Sequence, residues 1–215
     1  MWFGIASVVI GYLLGSIPSA YIVTKLRKGI DIRQVDATGN VGTASVFRQV
    51  GLWEGAVVAA ADIAKGAVAI LIAKALGASE PWVLATGFAV VLGHGFPVYI
   101  GFRGGQGVAA LIGVYLVLAP VATAVMLVLM GIVLLLTRRI FLMICIVGPL
   151  LPLIIWIFHG SILLILYSLA IVIFLAIRSR RGFQQFKEIK LVKPRIPNPF
   201  SKKQANKPRP NDKKS

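Results

Sequence analysis

VAALIGVYLVLAPVATAVMLVLMGIVLLLTRR, residues 108–139, carries no charge before Arg138 and has one proline, Pro120, near its middle. Read as one helix, it crosses a bilayer once. Read as two helices turning at Ala119–Pro120, it crosses twice. The basic residues decide between them, because Lys and Arg near span ends collect on the cytoplasmic side. They cluster at 25–48, at Arg103, at Arg138–Arg139 and in the tail. All four groups share one side only if the chain crosses twice between 104 and 138. Each of the two helices is then about 14–17 residues, roughly 20–25 Å, which a recessed or locally thinned site accommodates.

The flanking sequence extends the same pattern. Residues AVILMFWYC make up 58% of the 215 positions, and the mean hydropathy is +0.86. Apolar runs of about 18 or more residues recur, which is the signature of membrane spans rather than of a water-soluble domain. The runs are continuous, not alternating, so the expected fold is an all-α polytopic membrane bundle. The expected spans are 2–24, 55–76, 82–100, the two halves of 108–136, 140–158 and 161–177. That makes seven helices, with the N-terminus outside and the C-terminus cytoplasmic; six is the alternative, if 108–136 is a single helix. MWFGIASVV has no basic residue, so it reads as a retained first helix rather than a cleaved signal peptide.

The net charge is +16, and thirteen of the 23 Lys and Arg lie from Arg178 onward, against Glu188 and Asp212. The expected organisation is a membrane domain at 1–186 and a basic, disordered cytoplasmic tail at 187–215. Anionic lipid accounts for such a tail, and no nucleic-acid partner is expected. The lone Cys145 excludes an intrachain disulfide.

Four polar segments interrupt the apolar chain. In GSIPSAY, 15–21, Pro18 breaks the first helix, and Ser16 and Ser19 can pair the freed backbone. In ATGNVGTASVFR, 37–48, Gly39 and Gly42 flank Asn40, with Thr38, Thr43 and Ser45 nearby. Small residues there let backbone N–H groups approach an anion, and Arg48 offers a fork suited to phosphate. Asp62 and Lys65, three apart on one helix face, form a candidate supporting ion pair inside a span. In GHGFPVYIGFRGGQG, 93–107, Gly104, Gly105, Gln106 and Gly107 precede a helix start, where free N–H groups favour anions. Arg103 adds full charge. His94, just before the Pro97 break, is either an acid–base partner or a structural prop. The expectation is a phosphorylated, water-soluble compound meeting a lipid-soluble one at the cytoplasmic interface.

In their order and spacing, GSIPS, TGNVGTASVFR, DIAKG and GHGFPVYIGFRGGQG resemble the bacterial acyl-phosphate:glycerol-3-phosphate acyltransferases, of which this chain looks like a divergent member. The resemblance implies a seven-helix enzyme of the bacterial inner membrane, acting in phospholipid biosynthesis with its active face in the cytoplasm. It implies transfer of an acyl group from acyl phosphate to the 1-hydroxyl of glycerol 3-phosphate, giving lysophosphatidic acid and phosphate, with no metal or other cofactor. It places Thr38, Gly39, Asn40, Gly42, Thr43, Ser45, Arg48, Arg103, Gly104, Gly105, Gln106 and Gly107 around phosphate, and His94 and Arg48 at the chemistry. Ser16, Pro18, Asp62 and Lys65 support them. The chain also departs from the family. Thr38 and Ser45 stand for a serine and an asparagine, Gln106 for a lysine and Phe141 for a serine. Ser179-Arg180-Arg181-Gly182 replaces a His-Arg-x-Asn run. An inactive, lipid- or acyl-phosphate-binding member is therefore the alternative, and a transporter is a more distant one.

Overall fold

The computed structural model describes residues 1–35 and 40–178, without the side chain of Phe141. Thr38, Gly39, Ser179–Gly182 and the basic tail expected from 187 lie outside those residues. Every regular element among the described residues is helical.

Helix α1 (Trp2–Ser16) and helix α2 (Ser19–Lys28) are separated at Ile17–Pro18. The first span is thus broken where expected, because Pro18 has no N–H to continue the ladder. The polar stretch that follows is not all loop. It contains α3 (Ile32–Val35) and α4 (Thr43–Gln49). Helix α5 (Leu52–Ala75) and helix α6 (Glu80–Gly95) come next. Pro81, expected in the turn, sits in the first turn of α6, where its missing N–H costs nothing.

Ala119 leaves helical geometry (φ −147°, ψ 71°) between α7 (Val108–Leu118) and α8 (Pro120–Thr137). The long apolar run is therefore two helices meeting at the expected residues. The later run also divides. Helix α9 (Ile140–Val147) and helix α10 (Leu151–Phe158) flank a short 3-10 turn at Gly148–Leu150. Gly160, with φ 71°, then leads to α11 (Ile162–Arg178).

Among the described residues, four stretches are long and apolar enough to cross a membrane: Trp2–Lys28, Leu52–Ala75, Glu80–Ile100 and Pro120–Thr137. Val108–Leu118, Leu142–Phe158 and Ile162–Arg178 are shorter apolar helices.

Glycine governs how the long helices approach. A Cβ on Gly15 would overlap the Val90 carbonyl, and one on Gly93 the Tyr12 carbonyl, so α1 and α6 meet backbone to backbone. Thr86 Oγ1 donates to Ser7 Oγ across that contact at 2.9 Å. Gly66 and Gly113 play the same part between α5 and α7, against Ala110 O and Ile63 O. Small residues with an interhelical hydroxyl bond are the usual solution where lipid removes the hydrophobic drive for helix pairing. A separate apolar cluster gathers Leu111, Tyr115, Leu151, Ile155, Leu164 and Ile171 from α7, α10 and α11.

Candidate active site

The four polar segments meet. A small open cleft is lined by Ile17, Pro18 and Ser19 from the α1–α2 break, and by Val41, Asp62, Lys65, His94, Pro97 and Gly104. Residues up to 87 apart in sequence thus share one cavity wall.

At its floor, Asp62 and Lys65 pair as their spacing requires, with Nζ 2.9 Å from Oδ1. Both side chains are almost fully buried, at 1% and 6% exposure. Lys65 Nζ also donates to the Ile17 carbonyl at 3.0 Å. That carbonyl is part of the break made by Pro18. The two serines were expected to serve it. Instead Ser16 Oγ turns back to the Tyr12 carbonyl of its own helix, at 2.8 Å, and the Ile17 carbonyl accepts from the Ser19 amide, at 3.0 Å, as well as from the ammonium of α5. A lysine reaches further than a serine and is itself in need of acceptors inside the bundle.

His94 stands on the other side of Asp62, with Nδ1 3.6 Å from Oδ1. Its Nε2 lies against Gly105, where any Cβ would overlap it. Gly104 is equally constrained, between the His94 carbonyl and Pro97. These two glycines are required by close approach, not by dihedral angle. Gly107, by contrast, has φ 93° and forms the N-terminal cap of α7.

A helix leaves its last carbonyls without intrahelical partners. At the end of α6, Phe96 N caps Leu92 O at 2.7 Å, and Gly105 N donates to His94 O at 3.1 Å. Arg178, from the end of α11, donates Nη2 to Gly95 O, with its guanidinium over the Phe96 ring at 4.3 Å. Val41 N reaches Gly104 O at 3.5 Å. The Gly105 amide is therefore spent within the fold. Among the described residues, the amides of Gly104, Gln106 and Gly107 have no hydrogen-bond partner, and they remain the backbone donors of this segment.

The other predicted residues sit around this core. Gly42 packs close to Gly105, with a Cβ position 3.8 Å from its Cα. Ser45 is buried and accepts from Arg48 Nη2 at 3.2 Å. Thr43 Oγ1 is buried without a partner among the described residues. Asn40 adjoins the cleft through Val41. Arg48 and Arg103 are exposed and do not line the cleft.

Arg33 was overlooked in the sequence. It forks onto Asp31, with Nη2 2.6 Å from Oδ2, donates Nη1 to Ile100 O at 3.1 Å, and lies over the Tyr21 ring. It fastens α3 to the turn that precedes Arg103, and it holds the Asp31 carboxyl below the usual carboxylate range. The only sequence signal was the Asp31-x-Arg33 spacing, which many loops share.

The family model for glycerol-3-phosphate acyltransferase matches residues 5–188. The chain belongs to this family. Among its relatives, the glycerol-3-phosphate acyltransferase of Geobacter sulfurreducens is 33% identical over 179 residues, spanning 83% of this chain and 91% of that one. Glycerol-3-phosphate acyltransferase 1 of Dehalococcoides mccartyi is 48% identical over 116 residues, 54% of this chain and 55% of that protein. The chain thus spans about half the length of that relative and nearly all of the Geobacter one. A crystal structure of PlsY (YgiH), an integral membrane glycerol 3-phosphate acyltransferase, in its glycerol 3-phosphate form, is similar with a TM-score of 0.79. It is 31% identical, covering 86% of this chain and 92% of that one. This family member is accordingly an all-helical, multi-pass membrane protein.

Proposed function

We propose that this chain transfers an acyl group from acyl phosphate to the 1-hydroxyl of glycerol 3-phosphate. The hydroxyl oxygen bonds to the acyl carbon, the acyl carbon–oxygen bond to phosphate breaks, and lysophosphatidic acid and inorganic phosphate leave. A mixed anhydride is already activated. What the protein must supply is orientation and charge stabilisation of the departing phosphate.

The observation that carries this reading is the convergence of the glycine segments, His94 and the Asp62–Lys65 pair on one cleft. The amides of Gly104, Gln106 and Gly107 present donors to phosphate, and Arg48 and Arg103, outside the cleft lining, add charge. Thr38, Gly39, Asn40, Gly42, Thr43 and Ser45 complete the phosphate-binding set. His94 is gripped from both sides, by Asp62 and by Gly105. We assign it to holding the glycine segment, and the departing phosphate takes the hydroxyl proton. Where the family carries a lysine, Gln106 still offers an amide donor. The working unit is a seven-helix bundle of the bacterial inner membrane, N-terminus outside, with its active face and its basic tail from 187 in the cytoplasm.

Purified, reconstituted protein given acyl phosphate and labelled glycerol 3-phosphate is expected to form labelled lysophosphatidic acid. Arg48→Ala is expected to reduce that rate about ten- to a hundredfold, the worth of one charge-assisted phosphate contact. No product from protein that still binds acyl phosphate would make it a binding protein instead.

A further inference from the structure

Arg178 lies at the last turn of α11, yet its guanidinium reaches the far end of α6. It bonds the Gly95 carbonyl and stacks on Phe96. Gly95 leaves room for this contact: a Cβ there would stand 3.3 Å from Arg178 Nε, tight enough to displace the guanidinium slightly, and in ordinary contact with Gly105 O at 3.7 Å. The next carbonyl back, His94 O, holds Gly105 N, and Gly104 O holds Val41 N. One arginine therefore begins a chain of bonds running from α11 through the end of α6 to the glycine segment and on to Val41.

The electrostatics point the same way. The C-terminal end of a helix carries a partial negative charge from its unpaired carbonyls. The end of α6 directs those carbonyls at the segment whose amides are the proposed phosphate donors, and it would repel an anion. A guanidinium on Gly95 O offsets that pole. Arginine suits the position better than lysine, since it can stack on a ring and donate at the same time.

We propose that Arg178 is a positioning residue of the phosphate site. It fixes the end of α6, and through it the Gly104–Gly107 amides, while neutralising the helix pole that a phosphate would meet. This rests on the acyl-transfer reading for its kinetic consequence, but not for its consequence in phosphate binding.

The test uses the full chain in reconstituted form. KM and kcat for glycerol 3-phosphate are measured for wild type, Arg178→Ala, Arg178→Lys and Gly95→Ala, with and without added guanidinium ion. The same proteins are titrated with inorganic phosphate by calorimetry. Arg178→Ala is expected to raise KM and weaken phosphate binding about ten- to a hundredfold, with kcat less affected. Guanidinium ion should restore part of the loss in Arg178→Ala. It should restore none in Gly95→Ala, where the new methyl group crowds the same space. Arg178→Lys should recover little. Wild-type KM and phosphate affinity in Arg178→Ala would overturn the proposal. So would a loss in both that guanidinium ion leaves untouched, which marks a merely structural arginine. If Arg178→Ala does not fold, Arg178→Lys decides, since wild-type KM and phosphate affinity there would also overturn it. Weakened phosphate binding in the variants of a wild type that makes no product would uphold Arg178 and sink acyl transfer.

Discussion

Two ionised groups buried in a membrane bundle are costly unless each satisfies the other. Asp62 and Lys65 offset each other's charge at 2.9 Å, and they do more: Lys65 donates to the Ile17 carbonyl at the Pro18 break and Asp62 faces His94. Removing one partner strands the other. Lys65→Ala is expected to lose about 3–5 kcal/mol of stability, and Asp62→Ala a similar amount. The double change Asp62→Asn with Lys65→Met should cost less than the sum of the two, because no unpaired charge is left behind. Equilibrium unfolding in mixed micelles measures all three. A Lys65→Ala protein within 1 kcal/mol of wild type would show that the pair is wet. The spacing of three made this pair visible in the sequence. Its partners were not visible, because Ile17 and His94 are brought to it only by helix packing.

At the scale of elements, the glycines divide into those that touch a neighbouring backbone and those that do not. Gly15 and Gly113 belong to the first kind, and a methyl group on either would overlap a carbonyl that cannot rotate away. Gly15→Ala and Gly113→Ala are expected to cost about 1–3 kcal/mol as overpacking. Gly131, in the middle of α8, has nothing within 4 Å. Gly131→Ala should be neutral or stabilising by up to about 1 kcal/mol, through helix propensity alone. Thermal unfolding of the three variants side by side checks the contrast, and equal shifts would refute it. Sequence shows all three as glycines in apolar helices and cannot sort them. It does place the helix breaks well where a proline makes them, at Pro18 and Pro120. It does less well at Gly148–Pro149, where an expected single helix divides into α9 and α10. It also misses α3 and α4, whose short polar sequences have no apolar period to betray them. For the site, the glycine segments were legible from composition. The Arg178 bond was not, since α11 and α6 lie 83 residues apart where it forms.

At the scale of the whole molecule, the short helix α7 constrains where the site lies. Its eleven residues reach only about 16 Å, roughly half a bilayer core. Yet its far end is level with that of α5, because Lys74 Nζ donates to Val117 O at 3.4 Å. Helix α7 therefore begins beside the middle of α5, at the level of Gly66 and Ala110. The Gly104–Gly107 segment then sits well inside the bundle, level with Asp62, rather than at its edge. A helix of half length still completes a crossing if the other half of the depth is a recess holding the site. The proposed seven-helix count requires the chain to cross twice between 104 and 138 in this way. Single cysteines on a Cys145→Ala background test it, read by a membrane-impermeant thiol reagent on intact cells. Ser79→Cys and Ser161→Cys are expected to label from outside, while Lys28→Cys and Thr137→Cys are protected until the membrane is opened. In a six-helix chain Ser161→Cys and Thr137→Cys would exchange behaviour. That exchange would put Arg138 and Arg139 across the membrane from Arg103 and remove the reason for a recessed site.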